Sequence, residues 1–163
     1  MRHVHIHVTG IVQGVGMRPF VYREAIAHGI CGWVLNAGDG VHIEAHACAE
    51  AVDGFVAALS EHAPAAARVE RVDIADLEPG GWSTADEQGF HIVASQDQTA
   101  HTTLVSPDIA TCDDCLRELF DPADRRYHYP FINCTNCGPR FTIIRSLPYD
   151  RAATSMDCFP MCP

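Results

Sequence analysis

The sequence contains no lysine, so its 11 basic residues are all arginines, and 21 acidic residues outnumber them. The net charge of −10 is shared by both halves of the chain, and neither half carries a basic patch. This balance argues against a nucleic-acid backbone as the main partner. An anionic substrate would have to be bound by a local group of donors, because the overall field of the protein is negative.

Long apolar runs are absent as well. The opening residues, Met-Arg-His-Val-His-Ile-His, contain no apolar signal core, and no run reaches the length of a membrane span, so we expect no membrane partner. Eight cysteines could indicate a secreted disulfide scaffold. However, four of them form two Cys-x-x-Cys pairs, which is typical of metal ligation in a reducing compartment. We therefore expect a cytoplasmic protein.

The apolar pattern of residues 1–93 predicts an α+β domain. Val4, Ile6 and Val8 alternate with histidines, as in a half-buried strand. The later segments are a helix that Pro19 begins and Gly29 ends, strands at 30–36 and 41–47, a second helix through Val52, Phe55, Val56 and Leu59, and final strands near 69–74 and 90–93. The order strand–helix–strand–strand–helix–strand, with one additional short strand allowed, is the ferredoxin-like βαββαβ pattern, whose helices cover one face of the sheet.

A polar stretch at 94–106 predicts a linker, and residues 107–163 form a second unit rich in cysteine, proline and aromatic side chains. Cys112, Cys115, Cys134 and Cys137 have the spacing of a structural zinc site, in which two knuckles close a tetrahedron of thiolates. The alternatives are buried free thiols or disulfides. Such a zinc ion would supply folding energy that so small a unit lacks. We expect Gly138 to suit the tight turn after the second pair.

The remaining cysteines lie outside this quartet. Cys162 has the position of a first ligand in a second knuckle, and Cys158 stands apart from both pairs. Cys31 and Cys48 fall near predicted strands, and we expect them in the core rather than among metal ligands.

The loop Gly10-Ile-Val-Gln-Gly-Val-Gly-Met-Arg18 lies between the first strand and the first helix. Glycines let backbone N–H groups approach an anion, and the start of the helix adds a positive dipole end. Arg18 adds a planar fork that matches two phosphate or carboxylate oxygens. The pattern therefore predicts an anion site. A tight strand–helix connection with a solvated arginine fits the spacing equally well.

The histidines of the first strand form a separate pattern. His3, His5 and His7 share one strand face, which could be a metal-binding strip. We favour the interpretation of a polar sheet face or an interdomain surface, because histidines on such faces are more often ordinary polar residues.

Two motifs resemble the acylphosphatase family: Gly10-x-Val-Gln-Gly-Val-x-x-Arg18 and Gly32-Trp-Val-x-Asn36-x-x-Asp39-Gly40. The resemblance implies a phosphoryl cradle formed by Gln13, Gly14, Val15, Gly16, Met17 and Arg18. It also implies that Arg18 clamps the phosphoryl group and that Asn36 orients the attacking water. Met17 stands where phenylalanine is common, and we expect it to affect packing more than chemistry. Without the resemblance, Asn36 would be an ordinary turn residue.

The combination of both units resembles the N-terminal part of the [NiFe]-hydrogenase maturation carbamoyltransferases. The motifs are Gly14-Val-Gly-x-Arg18-Pro-Phe, Ser106-Pro-Asp-x-Ala-x-Cys112-x-x-Cys115, Asn133-Cys-Thr-Asn-Cys-Gly-Pro-Arg-Phe-Thr142 and Phe159-Pro-Met-Cys162. The resemblance implies hydrolysis of carbamoyl phosphate to carbamate, which later domains would adenylate with ATP and transfer to the C-terminal cysteine of a partner protein. Two alternatives stay open: a carbamoyl-phosphate-binding or docking module without turnover, and a stand-alone acylphosphatase with a zinc-stabilised tail.

Overall fold

The computed structural model describes residues 1–78, 89–96, 102–134, 137 and 141–159. The strands are β1 (Arg2–Ile11), β2 (Cys31–Ala37), β3 (Gly40–Ala47), β4 (Arg68–Asp76) and β5 (Phe90–Ile92). The helices are α1 (Met17–Ala27), α2 (Ala49–Glu61) and α3 (Asp113–Phe120), with short 3-10 turns at Phe141–Ile143 and Arg151–Ala153. Within the described ranges, no helix has the length and apolar character needed to span a membrane.

The five strands form one sheet in the order β4-β1-β3-β2-β5. β1 is antiparallel to both β3 and β4, whereas β5 adds to the edge of β2 in the parallel direction. The ferredoxin-like prediction is therefore confirmed, and β5 is the additional short strand.

The hydrophobic core lies between the sheet and the two helices α1 and α2. Alternate residues of β1 and β3 point into it, as the period of two predicts. The helices contribute their apolar faces at similar depth. Core members that are 3% exposed or less include Val4, Ile6, Val8, Val41, Ile43, Phe20, Val21, Val52, Phe55 and Leu59.

Glycines determine both ends of α1. Gly16 has φ 79° and precedes the first helical residue, Met17, so the helix begins two residues before Pro19, where the sequence placed its start. Gly29 has φ 65°, and the N–H of Ile30 donates to the carbonyl of Ala25 at 2.8 Å. This six-residue ring is a Schellman end, which confirms Gly29 as the C-terminal cap.

The second unit has a much smaller core. Among the described residues, its buried cluster consists of Cys115 of α3, Ile132 and Cys137, with a few partly buried neighbours. Such a core is too small to hold a fold of this size without additional bonds. Gly138 and Cys162, for which roles were predicted, lie outside the described residues.

Parts of the polar stretch 94–106 lie against the first unit. The N–H groups of Thr102 and Thr103 both donate to the carbonyl of Gly38, at 2.9 and 3.1 Å, and the N–H of Gln96 donates to the carbonyl of Asn36 at 3.0 Å. Residues 97–101 of this stretch lie outside the described residues.

The expectation of a core position for Cys48 is wrong, because this thiol is exposed where the chain enters α2.

Candidate active site and metal cluster

Two glycines shape the loop between β1 and α1. Gly14 and Gly16 both have left-handed backbone angles, φ 70° and 79°. Residues with larger side chains adopt these angles only under strain, and alternating conformations of this kind turn successive N–H groups to one side. The first turn of α1 has neither a side-chain cap nor an acidic residue. Its N–H groups and positive dipole end therefore suit an anion.

Arg18 lies in the first turn of α1, directly after this loop, and forms hydrogen bonds with two side chains. Its Nη2 donates to Asp150 Oδ1 at 2.6 Å, and its Nη1 donates to the hydroxyl of Ser95 at 3.2 Å. The Arg18 side chain is 23% exposed. The guanidinium of Arg18, predicted to bind the phosphoryl group, thus lines the site. One of its two Nη groups already donates to a carboxylate of the second unit.

Asn36 is the penultimate residue of β2, lies beside the same loop and is 2% exposed. Its Oδ1 atom is fully buried and has no hydrogen-bond partner among the described residues. A buried amide oxygen in this state costs about 1–3 kcal/mol, so its position calls for a ligand or an ordered water.

Gln13 is buried as well, but its side chain contacts protein rather than the cradle. Its Nε2 donates to the carbonyls of Ala37 and Gly40, at 2.5 and 3.0 Å, and its Oε1 accepts from the N–H of Tyr149 at 3.0 Å. Only its backbone remains for anion binding. Gln13 therefore ties the loop both to the turn after Asn36 and to the second unit.

A cavity of about 390 Å³ separates the two units at this point. The first unit lines it with Val12, Gly14, Gly16, Met17, Arg18, Pro19 and Asn36, and the second with Asn133, Cys134, Tyr149, Asp150 and Arg151. Most predicted site residues are brought together here. Val15 instead lies fully buried in the core, and Met17, which is 2% exposed, packs into that core while it touches the cavity.

Sequence reasoning missed the contributions of the second unit. The run Tyr149-Asp150-Arg151 follows a cis peptide bond at Leu147–Pro148 and carries both signs of charge. Neighbouring opposite charges beside a proline are a weak signal that could have marked a functional loop. Nothing in the spacing connects this run with Arg18.

The four predicted metal ligands converge in the second unit. The Sγ atoms of Cys112 and Cys134 are 3.5 Å apart, and those of Cys115 and Cys137 are 3.9 Å apart. All four atoms lie within 4.8 Å of one another. Disulfides are excluded by these separations, whereas sulfurs around a tetrahedral zinc ion are about 3.8 Å apart.

Charge in this cluster is distributed unevenly when no ion is present. Burial raises the pKa of Cys115 well above its ordinary value, and hydrogen bonds with the neighbouring thiols raise it further. Burial also opposes charge on Cys137, yet backbone N–H donors lower its pKa to about 7. One such donor is the N–H of Cys134, 3.4 Å from the sulfur. A divalent cation would relieve this competition by accepting all four thiolates.

Comparison with known proteins supports both assignments. The Acylphosphatase family matches residues 4–92, more than half of the chain. The chain belongs to the acylphosphatase family. Beyond the acylphosphatase domain, the HypF finger family matches residues 111–144 and includes all four clustered cysteines.

Individual relatives agree with this membership. The acylphosphatase of Salinibacter ruber is 38% identical over 94 residues, which are 56% of this chain and 92% of that protein. Carbamoyltransferase HypF2 of Cupriavidus necator is 50% identical over 160 residues, which are 98% of this chain but 19% of that protein. The predicted resemblance to the N-terminal part of a maturation carbamoyltransferase is thus confirmed.

A solved structure gives the same result. The structure of full-length HypF in its phosphate- and nucleotide-bound form superposes on this chain with a TM-score of 0.90 and 44% sequence identity. The superposition covers 99% of this chain and 21% of the HypF chain. The acylphosphatase domain and the finger together therefore span about a fifth of the length of these relatives.

Proposed function

We propose that the cavity between the acylphosphatase domain and the finger hydrolyses an acyl phosphate, and that carbamoyl phosphate is this substrate within a longer carbamoyltransferase. The Oδ1 of Asn36 is buried beside the glycine loop and Arg18 and has no hydrogen-bond partner in the described part of the chain. This single observation carries the proposal. The relatives named HypF carbamoyltransferase support the choice of acyl group.

The chemistry needs little more than positioning. The N–H groups of Gly14 to Arg18 and the guanidinium of Arg18 would hold the three phosphoryl oxygens. Asn36 Oδ1 would accept a hydrogen bond from water and hold it in line with the scissile bond. The water oxygen bonds to phosphorus, the bond from phosphorus to the carbamate oxygen breaks, and the water proton passes to phosphate or solvent. Carbamate is a good leaving group, so no strong base is required.

The proposal extends to the other substrates that the resemblance implies. In a longer carbamoyltransferase, later domains would receive carbamate from this site. They would adenylate it with ATP and transfer it to the C-terminal cysteine of a partner protein. The four-cysteine cluster would hold a structural zinc ion, since four thiolates leave no open coordination position. The predicted division at 1–93, 94–106 and 107–163 and the cytoplasmic location stay predictions.

Phosphate release from carbamoyl phosphate tests the hydrolytic role. We expect release by the chain and its loss, by about a hundredfold or more, in Arg18→Ala, because a transition-state donor is removed. Arg23→Ala is a matched control, since Arg23 is an exposed residue of the same helix. Equal rates for Arg18→Ala and the unchanged chain would overturn the proposal.

A second function, binding and presentation without turnover, is favoured by the Arg18–Asp150 ion pair. This contact joins Arg18 of the first unit to Asp150 of the second unit in the lining of the cavity. If the zinc-loaded chain binds phosphate through Arg18 but releases none from carbamoyl phosphate, this docking role replaces the hydrolytic one.

A further inference from the structure

The outer face of the sheet carries a cluster that the proposed reaction does not use. His7 in β1 and His42 in β3 are directly opposite in the antiparallel register. Their rings stack with centroids 4.3 Å apart and planes inclined by 12°. Asp39, in the turn that leads into β3, reaches both rings. The sequence grouped His7 with His3 and His5, whereas the fold places it beside His42 and Asp39.

The contacts of this trio join nitrogen and oxygen atoms that suit a metal ion. His42 Nε2 lies 2.8 Å from Asp39 Oδ1. His7 Nε2 lies 3.2 Å from the backbone carbonyl oxygen of Asp39 and 3.6 Å from its Oδ2. One ligand atom from each residue lies within 4.8 Å of the other two. Ligands of a tetrahedral ion at bond lengths of about 2.0–2.2 Å are about 3.3 Å apart, so small rotations of the side chains would complete the site.

The surroundings support ligation by His42 in particular. His5 Nε2 lies 3.1 Å from His42 Nδ1, the ring nitrogen that faces away from Asp39. A ligating histidine normally donates its second N–H to a neighbour, and this contact fixes the ring and raises its basicity. All three side chains of the trio are between 14% and 26% exposed, so an ion could enter from solvent and yet be partly shielded.

We propose that His7, His42 and Asp39 bind a divalent first-row transition-metal ion on the outer face of the sheet. Two imidazoles and one carboxylate select such an ion over Mg²⁺ or Ca²⁺, which prefer ligand sets made of oxygen alone. Three protein ligands leave at least one position to water, in contrast to the closed cysteine cluster. The bound ion would replace the hydrogen bond between Asp39 and His42.

Metal analysis after equilibrium dialysis tests the site in the full chain with its finger already zinc-loaded. We expect one further Zn²⁺ per chain, and its loss, or affinity at least tenfold weaker, in His42→Ala and in Asp39→Asn. His46→Ala is the matched control, because His46 lies on the same face but outside the trio, and it should keep the additional ion. A chain that binds no further zinc, or variants that bind it unchanged, would overturn the proposal.

Two measurements distinguish ligation by the trio from binding to the cysteine cluster or to scattered histidines. Co²⁺ added to the zinc-loaded chain should give the weak absorption of nitrogen and oxygen ligation, without the intense sulfur-to-cobalt band of the cysteine cluster. His5→Ala should weaken the affinity about tenfold without abolishing binding, as loss of a supporting contact does. If His42→Ala fails to fold, His42→Gln still offers an N–H donor to Asp39 and removes the imidazole ligand. Equal weakening in His46→Ala would indicate diffuse binding by the histidine face and would refute the trio.

Discussion

The guanidinium of Arg18 donates to the carboxylate of Asp150, with 2.6 Å between Nη2 and Oδ1, although the two residues are 132 positions apart. Arg18 belongs to the proposed phosphate cradle, whereas Asp150 belongs to the finger unit. A bound phosphoryl group and Asp150 would therefore use the same donors. If this cavity binds a phosphoryl group, its occupation and the contact between the two units would compete for Arg18.

Replacement of Asp150 by asparagine should strengthen phosphate binding. The change removes a competing negative charge from the cavity, and an ion pair of this exposure is worth about 0.2–1 kcal/mol. We expect the inhibition constant of inorganic phosphate to fall by up to about fivefold. Asp157→Asn is the control, because Asp157 pairs with Arg145 on the exposed surface of the same unit. Weaker phosphate binding in Asp150→Asn would instead indicate that Asp150 positions Arg18.

Asn36→Ala should reduce turnover far more than binding. The Oδ1 of Asn36 accepts no hydrogen bond from any described residue. Loss of this oxygen therefore breaks no hydrogen bond in the described part of the chain. We expect kcat for carbamoyl phosphate to fall by about a hundredfold or more, while KM and the affinity for phosphate stay nearly unchanged. Steady-state kinetics with phosphate titration measure both. A rise in KM at constant kcat would assign Asn36 to substrate binding rather than to the water.

Gln13 variants should lose stability before they lose chemistry. Gln13→Ala leaves two buried carbonyls without their donor, and each such loss costs about 1–3 kcal/mol. Gln13→Glu should be more destabilising, because a carboxylate cannot donate to the carbonyls of Ala37 and Gly40. Denaturant unfolding measures the free energy. Gln96→Ala, a change at an exposed side chain, should have little effect, and similar values for all three variants would contradict the structural role of Gln13.

Removal of the metal from the cysteine cluster should unfold the finger unit and leave the first unit intact. The core around Cys115 is small, whereas the sheet domain has its own extensive core. Far-ultraviolet circular dichroism should show loss of α3 after chelation and recovery after addition of Zn²⁺. Cys115→Ser should mimic chelation, and Cys158→Ser, a change at an exposed thiol, should not. An unchanged spectrum after complete metal removal would exclude a structural role for the ion.

Much of this protein follows from short-range patterns in its sequence. The alternation of Val4, Ile6 and Val8 predicts β1, because successive strand residues face opposite sides of a sheet. Gly29 marks the end of α1, because only glycine adopts its backbone angles without strain. The two Cys-x-x-Cys pairs predict a metal cluster, since this spacing itself forms a knuckle. Each of these patterns encodes geometry within a few residues of chain.

Contacts between distant residues were decided by the tertiary structure alone. No periodicity connects Arg18 with Asp150, Gln13 with Tyr149, or His7 with Asp39. These pairs depend on strand register, on the turn after Asn36 and on how the finger unit rests against the cradle. From local patterns alone, the sequence predicts two units, an anion loop and a cluster of four cysteines. Packing alone decided which carboxylate would face the arginine, because side chains far apart in the chain meet only after the sheet and the finger have formed.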